Sequence, residues 1–181
     1  QGEPYPLTKL DRAVVDFGWR DTNHLVFIAK ESPAEREREL KEKKDTSAVV
    51  EDEANEPPVR LFEVELKSKK VTRVSTNADW ITALFVSPDG NHAVTIHNQS
   101  LRYDYDNAIR PQYFLTDLRS GERKRIFADR RFNLQTIEWS PDGRSFYAAS
   151  GFTTHPKYSR PMITELWRFD LDGAKEVQVP L

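Results

Sequence analysis

The chain contains no cysteine among its 181 residues. Disulfides, thiolate nucleophiles and cysteine–zinc sites are therefore excluded, although the compartment is left open. It has seven glycines and a single methionine, too few for a glycine-rich or low-complexity segment. No apolar run approaches the roughly 20 residues needed to cross a bilayer as a helix. No basic-then-apolar leader opens the chain, so a signal peptide is expected to be absent or already removed. A formal charge of −2 supplies no electrostatic reason to expect nucleic acid or a membrane surface as partner. No Gly-x-Ser-x-Gly nucleophile elbow occurs, nor does a His-Glu-x-x-His metal motif.

What is present is repetition. Trp139-Ser140-Pro141-Asp142-Gly143 matches Val86-Ser87-Pro88-Asp89-Gly90, and Trp19-Arg20-Asp21-Thr22-Asn23 is a worn third copy. Each lies between two apolar runs, the layout of a β-hairpin. Proline presets φ at the first central position, aspartate suits the second, and glycine supplies the positive φ that returns the chain. In the worn copy Asn23 stands where Gly143 stands and is expected to take that conformation. A second landmark follows each turn: Leu61-Phe62-Glu63-Val64-Glu65-Leu66, Tyr113-Phe114-Leu115-Thr116-Asp117-Leu118 and Leu166-Trp167-Arg168-Phe169-Asp170-Leu171. The aromatics at 62, 114 and 167 recur at spacings of 52 and 53, in phase with the 53 residues between turns.

Each unit reads as four short antiparallel strands. In the third these are Asn133 to Trp139, Ser145 to Ala149, Ile163 to Asp170 and Glu176 to Val179. Four strands repeated near 50 residues predict a β-propeller blade. The fold class expected is all-β: one partial propeller domain, 1–181, of about three blades, at 13–75, 79–128 and 132–180. Residues 5–10 are a candidate outer strand of a preceding blade, because Leu7, Val74 and Phe127 each stand twelve positions ahead of a turn aromatic or its equivalent. Trp19, Phe114, Trp139 and Trp167 are assigned to the blade core, with Trp80 outside that set.

The first unit carries an insertion, 32–58. Trp19 and Phe62 are 43 residues apart, against 28 between Trp139 and Trp167. Ser32-Pro33-Ala34-Glu35 is a capping box with proline at the first helical position. Glu37–Lys41 and Glu39–Lys43 are spaced to pair along a helix with almost no apolar face.

The turn-and-strand pattern resembles the TolB-like propeller repeats of TolB and of the prolyl-oligopeptidase family of serine peptidases. The insertion and the stretch Glu51-Asp52-Glu53-Ala54-Asn55-Glu56-Pro57-Pro58-Val59-Arg60-Leu61-Phe62 look like the first blades of acylaminoacyl- or dipeptidyl-peptidase-like members. The resemblance implies an N-terminal propeller that caps an α/β-hydrolase domain and filters peptide substrates. It implies as partners that hydrolase domain, the remaining blades and a peptide, with self-association through open blade faces as a further option. It also implies a lean towards a periplasmic or secreted setting, with the cytoplasm open. No catalytic residue carries over, and this chain is expected not to be an enzyme by itself. A TolB-like scaffold that binds a protein partner is the alternative.

The loops joining the second and third strands of the last two units hold the candidate contact residues. These are Tyr103, Asp104, Tyr105, Asp106 and Arg110 in one, and His155, Tyr158 and Arg160 in the other. Exposed tyrosine, arginine and carboxylate suit a peptide or a neighbouring domain. An ordinary long hairpin loop is the blander reading. Asp104 and Asp106 lack the remainder of a calcium ligand set, and no cofactor or metal is predicted. His24 and His92, beside the turns, read as solvated rings, and His97 and His155 read as structural or surface residues.

Overall fold

The computed structural model describes residues 3, 5–10, 12–33, 35–46, 53, 55–101, 109–128, 133–152 and 163–180. Among these residues twelve strands run in order as three antiparallel meanders. The first contains β1 (Val14–Trp19), β2 (His24–Lys30), β3 (Val59–Glu65) and the short β4 (Val71–Arg73), with helix α1 (Glu35–Glu42) between β2 and β3. The second contains β5 (Trp80–Val86), β6 (His92–Asn98), β7 (Gln112–Asp117) and β8 (Arg123–Ile126). The third contains β9 (Leu134–Trp139), β10 (Ser145–Phe152), β11 (Ile163–Asp170) and β12 (Lys175–Val179). A single parallel contact, Val59 beside Trp80, joins the first two sheets, and the third sheet is separate. No described helix is long and apolar enough to cross a membrane.

The repeated turns close for a chemical reason. Gly90 N–H donates to the Ser87 carbonyl and Gly143 N–H to the Ser140 carbonyl, each at 2.9 Å, with φ of +67° and +68° at the two glycines. The serine hydroxyls accept the His92 and Ser145 amides across the turn, at 3.0 and 3.1 Å. The worn copy closes otherwise. Asn23 is not among the described residues with positive φ. Instead the Asp21 carboxylate accepts the amides of Asn23 and His24 at 2.7 and 2.9 Å. An aspartate that bonds its own downstream backbone makes the turn without a left-handed residue.

Alternation along each strand serves two faces. In β2, Val26 and Ile28 join Leu61, Ile81, Leu84 and Ala93 in a core between the first and second sheets. Val94, Tyr113, Phe127, Ile137, Phe146 and Phe169 form the core between the second and third. Each buried aliphatic or aromatic side chain contributes roughly 1.5–3 kcal/mol, so stacking of sheet on sheet dominates the stability. Polar links fix the stacking. Leu84 N–H donates to Asp16 Oδ2 at 3.1 Å, Trp139 Nε1–H to the Phe85 carbonyl at 3.1 Å, and Leu134 N–H to the Tyr113 hydroxyl at 3.2 Å.

Some expectations are corrected. Trp19 is 59% exposed, not core, because it stands on the face of the first sheet that turns away from the second. Phe114 is only half-buried, beneath the Arg123 guanidinium and beside the His97 ring. The inserted helix does have an apolar contact: Leu40 is buried, while Lys30, from β2, bridges Glu37 and Glu56 and clasps the insertion to the sheet. Glu39 and Lys43 lie 3.9 Å apart. Leu7 and Leu10 pack on the outward face of the first sheet.

Two glycines give a matched test. Gly173 has φ +75° and open space where a Cβ would stand, whereas a Cβ on Gly90 would lie 1.7 Å from the Arg20 carbonyl oxygen. Gly173→Ala should cost about 1 kcal/mol, the left-handed strain alone. Gly90→Ala should cost about 3–4 kcal/mol, because backbone of the neighbouring sheet must move. Urea unfolding of both variants, at unchanged m, checks the ranking.

Candidate functional site

The two ends of the strands differ in construction. β5 begins at Trp80, and antiparallel β6 ends at Asn98 on the same side. The parallel contact of Val59 with Trp80 places the start of β3 there too. Trp139 bonds to Phe85 at the opposite end, so β9 begins, and β10 finishes, on that same side. The long connections 31–58, 99–111 and 153–162 thus all leave from one end of the sheets. Among the described residues, the other end carries only tight turns at 20–23, 66–70, 87–91, 118–122, 140–144 and 171–174.

Of the eight predicted contact residues, Arg110 is described and is exposed, beside the half-exposed Ile109. Tyr103, Asp104, Tyr105, Asp106, His155, Tyr158 and Arg160 lie outside the described residues. The insertion is tied into this end: Trp80 Nε1–H donates to the Pro57 carbonyl at 3.1 Å and the Ser100 hydroxyl to Glu53 at 3.2 Å. Glu31, at the start of the insertion, bridges Arg60 and Arg73.

Beneath this end lies a polar network that the repeat pattern does not foretell. His97 is 1% exposed, and its Nδ1 is 2.6 Å from Asp79 Oδ1. Its Nε2 is 2.9 Å from the Thr95 hydroxyl. Gln99 donates to the other Asp79 oxygen at 3.0 Å, and Asn77 Nδ2 is 2.8 Å from Asp79 Oδ1 and from the Val59 carbonyl. The Ser75 hydroxyl donates to Asn77 Oδ1 at 2.6 Å and accepts Leu61 N–H at 2.9 Å. Burial pushes the Asp79 carboxyl up, but hydrogen bonding and charge from His97, with the bonds from Gln99 and Asn77, outweigh it and bring it down to about 2.

The order hydroxyl, imidazole, carboxylate is that of a hydrolytic triad. Here it is structural, because Thr95 is 1% exposed and no substrate carbonyl can approach its oxygen. The network instead pins the segment 75–79 and the first-sheet strand β3 to the end of β6. The sequence signal for it is positional. His97 precedes the long loop at the place in its sheet where Ala29 stands in the first and Ser150 in the third, so a histidine there breaks the repeat.

The other described histidines are less solvated than expected. Both are half-buried; His24 Nδ1 lies 2.9 Å from Asp21, while His92 Nδ1 is buried with no hydrogen-bond partner among the described residues. Among the described residues no group of three or more His, Asp or Glu side chains is placed to hold a metal ion.

No protein-family model matches the chain, and none of the curated proteins does. Solved structures match it in fold. TolB from Acinetobacter baumannii superposes on 94% of this chain with a TM-score of 0.56 and 13% identity, the match taking in 33% of TolB. Pyrococcus horikoshii acylaminoacyl peptidase superposes on 93% with a TM-score of 0.58 and 15% identity, over 25% of that protein. The β-propeller domain of the Trilobed protease from Pyrococcus furiosus superposes on 96% with a TM-score of 0.55 and 17% identity, over 44% of that domain. The chain therefore spans between a quarter and under a half of these proteins, and its mostly-β architecture is propeller-like.

The Asp79 network yields a pH prediction. A carboxyl held below its unfolded value stabilises the fold above about pH 4, and that contribution is lost as pH falls through about 2. Asp79→Asn should lower stability at pH 7 by about 1–2 kcal/mol. It should also flatten the acid limb between pH 4 and pH 2. Thermal melts of both proteins across that range check it.

Proposed function

We propose that this chain is the non-catalytic β-propeller part of a serine peptidase of the prolyl-oligopeptidase type. Each meander is one blade, at 13–75, 79–128 and 132–180. The propeller lies over an α/β-hydrolase domain elsewhere in the polypeptide and limits which peptides reach it. The observation that carries the reading is the asymmetry of the strand ends. Tight turns at one end need only close hairpins. Three long connections at the other are more than strand reversal requires, and their sequences are rich in aromatic and charged residues. The likeness to propellers of the acylaminoacyl peptidase and the Trilobed protease supports a peptidase setting.

In this reading Tyr103, Asp104, Tyr105, Asp106, Arg110, His155, Tyr158 and Arg160 contact the hydrolase domain or the peptide. The Asp79–His97 network holds the base of the 99–111 connection, and the Lys30 and Glu31 ion pairs hold the insertion. A second reading, a TolB-like scaffold whose same surface binds a separate protein, is favoured by the TolB likeness.

Charge reversal tests the surface. Asp104→Arg combined with Arg160→Glu should weaken binding of the hydrolase domain by about tenfold, since opposed charges at an interface govern encounter and register. The melting temperature should not move. An equal loss of stability would return both residues to the fold, and unchanged binding would remove them from the surface. A reading frame with no hydrolase domain would favour the scaffold.

A further inference from the structure

The first sheet leaves open the face that the other two bury against the sheet before them. Trp19 pairs with Leu25 across β1 and β2, as Val86 pairs with Ala93 and Trp139 with Phe146. Phe17 pairs with Phe27, as Leu84 pairs with Thr95 and Ile137 with Ala148. The equivalent positions in the second and third sheets point into the core against the sheet before them, where Leu84 and Ile137 are 6% and 5% exposed. In the first sheet the same positions are open: Phe17 is 63% exposed and Trp19 59%. Behind them a groove of about 270 Å³ is lined by Leu7, Val14, Phe17, Leu25, Phe27 and Val64. A patch of this kind, at positions that its own structural repeats bury, marks a contact surface.

The structure also indicates what covers it. Val74 follows β4 and packs into the core on the second sheet, and Phe127 follows β8 and is buried in the core on the third. Each is the exit of an outermost strand, laid over the next sheet. Leu7 packs in the corresponding way on the first sheet, with Leu10 beside it. Lys69 fastens this segment, its ammonium 4.8 Å from the Tyr5 ring centre and 3.3 Å from the Pro6 carbonyl oxygen.

We infer that the Phe17–Trp19 face is an interaction surface for a further four-stranded sheet that precedes it on the same polypeptide. Residues 5–10 trail from the outermost strand of that sheet. Its innermost strand runs beside β1, and one of its carbonyls accepts the Trp19 Nε1–H, as the Phe85 carbonyl accepts that of Trp139. This rests on the propeller reading proposed above, and adds to it the place and the chemistry of the junction.

Thiol labelling read site by site, by mass spectrometry of the labelled peptides, decides the matter, because these 181 residues contribute no cysteine of their own. The protein to use is the complete natural polypeptide that contains these residues, carrying Phe17→Cys, with Thr22→Cys in the exposed turn as reference. Phe17→Cys should react with a maleimide roughly 100-fold more slowly than Thr22→Cys, as expected for a site reached only by local opening. Equal rates within about threefold would overturn the inference. So would a coding sequence with no four-stranded repeat ahead of Tyr5, or protection lost on dilution, which would make the occupant a second copy. Should Phe17→Cys unfold the junction, the difference in acrylamide quenching between wild type and Trp19→Phe reads the same face: a shielded Trp19 supports the inference and a freely quenched one overturns it. A polypeptide with a downstream hydrolase domain but a bare Phe17 face would refute this junction and leave the proposed function standing. A covered face without any hydrolase domain would do the reverse.

Discussion

Every feature of this molecule depends on the stacking of one twisted sheet upon the next. A four-stranded meander has two faces and no interior, so alone it leaves one row of side chains in water whichever way its strands alternate. Here Val26, Ile28 and Leu61 of the first sheet meet Ile81, Leu84 and Ala93 of the second, and the second meets the third through Val94, Tyr113, Phe146 and Phe169. Backbone-directed bonds from Asp16, Tyr113 and Trp139 set the angle and register of those contacts. Hydrophobic burial supplies most of the free energy, and these few directional bonds supply uniqueness.

At one junction the stacking incorporates buried polarity. The Asp79–His97 pair and its partners Ser75, Asn77, Thr95 and Gln99 are satisfied almost entirely by one another and by backbone. A network of this kind costs desolvation and returns rigidity only when each member is bonded. It lies directly under the end from which the long connections leave. A propeller-like body can therefore carry long connections on one side without loosening the sheets below, while tight turns, two of them Ser-Pro-Asp-Gly, close the other side.

The repeat, its period, the turn chemistry and the location of the insertion are all legible in the residues. These are local properties: a proline and a glycine at fixed offsets dictate a reversal wherever they occur, and period-two alternation dictates a strand. Local rules also misjudge particular residues. Asn23 aligns with two glycines, yet Asp21 closes that turn through its own carboxylate. His97 reads as one scattered histidine among four, because its partner Asp79 is eighteen positions away and meets it only across paired strands.

The sequence by itself determined a chain of strand–turn–strand units with an inserted helix, since backbone preference and apolar periodicity act over a few residues. Only the tertiary structure decided which of the equivalent aromatics are inside. Trp139 and Trp19 occupy the same position in the same kind of strand, with the same partner register. One rests on Phe85 and the other faces solvent. Burial belongs to the neighbour that covers a residue, not to the residue, and which neighbours exist is settled by the order in which whole sheets stack.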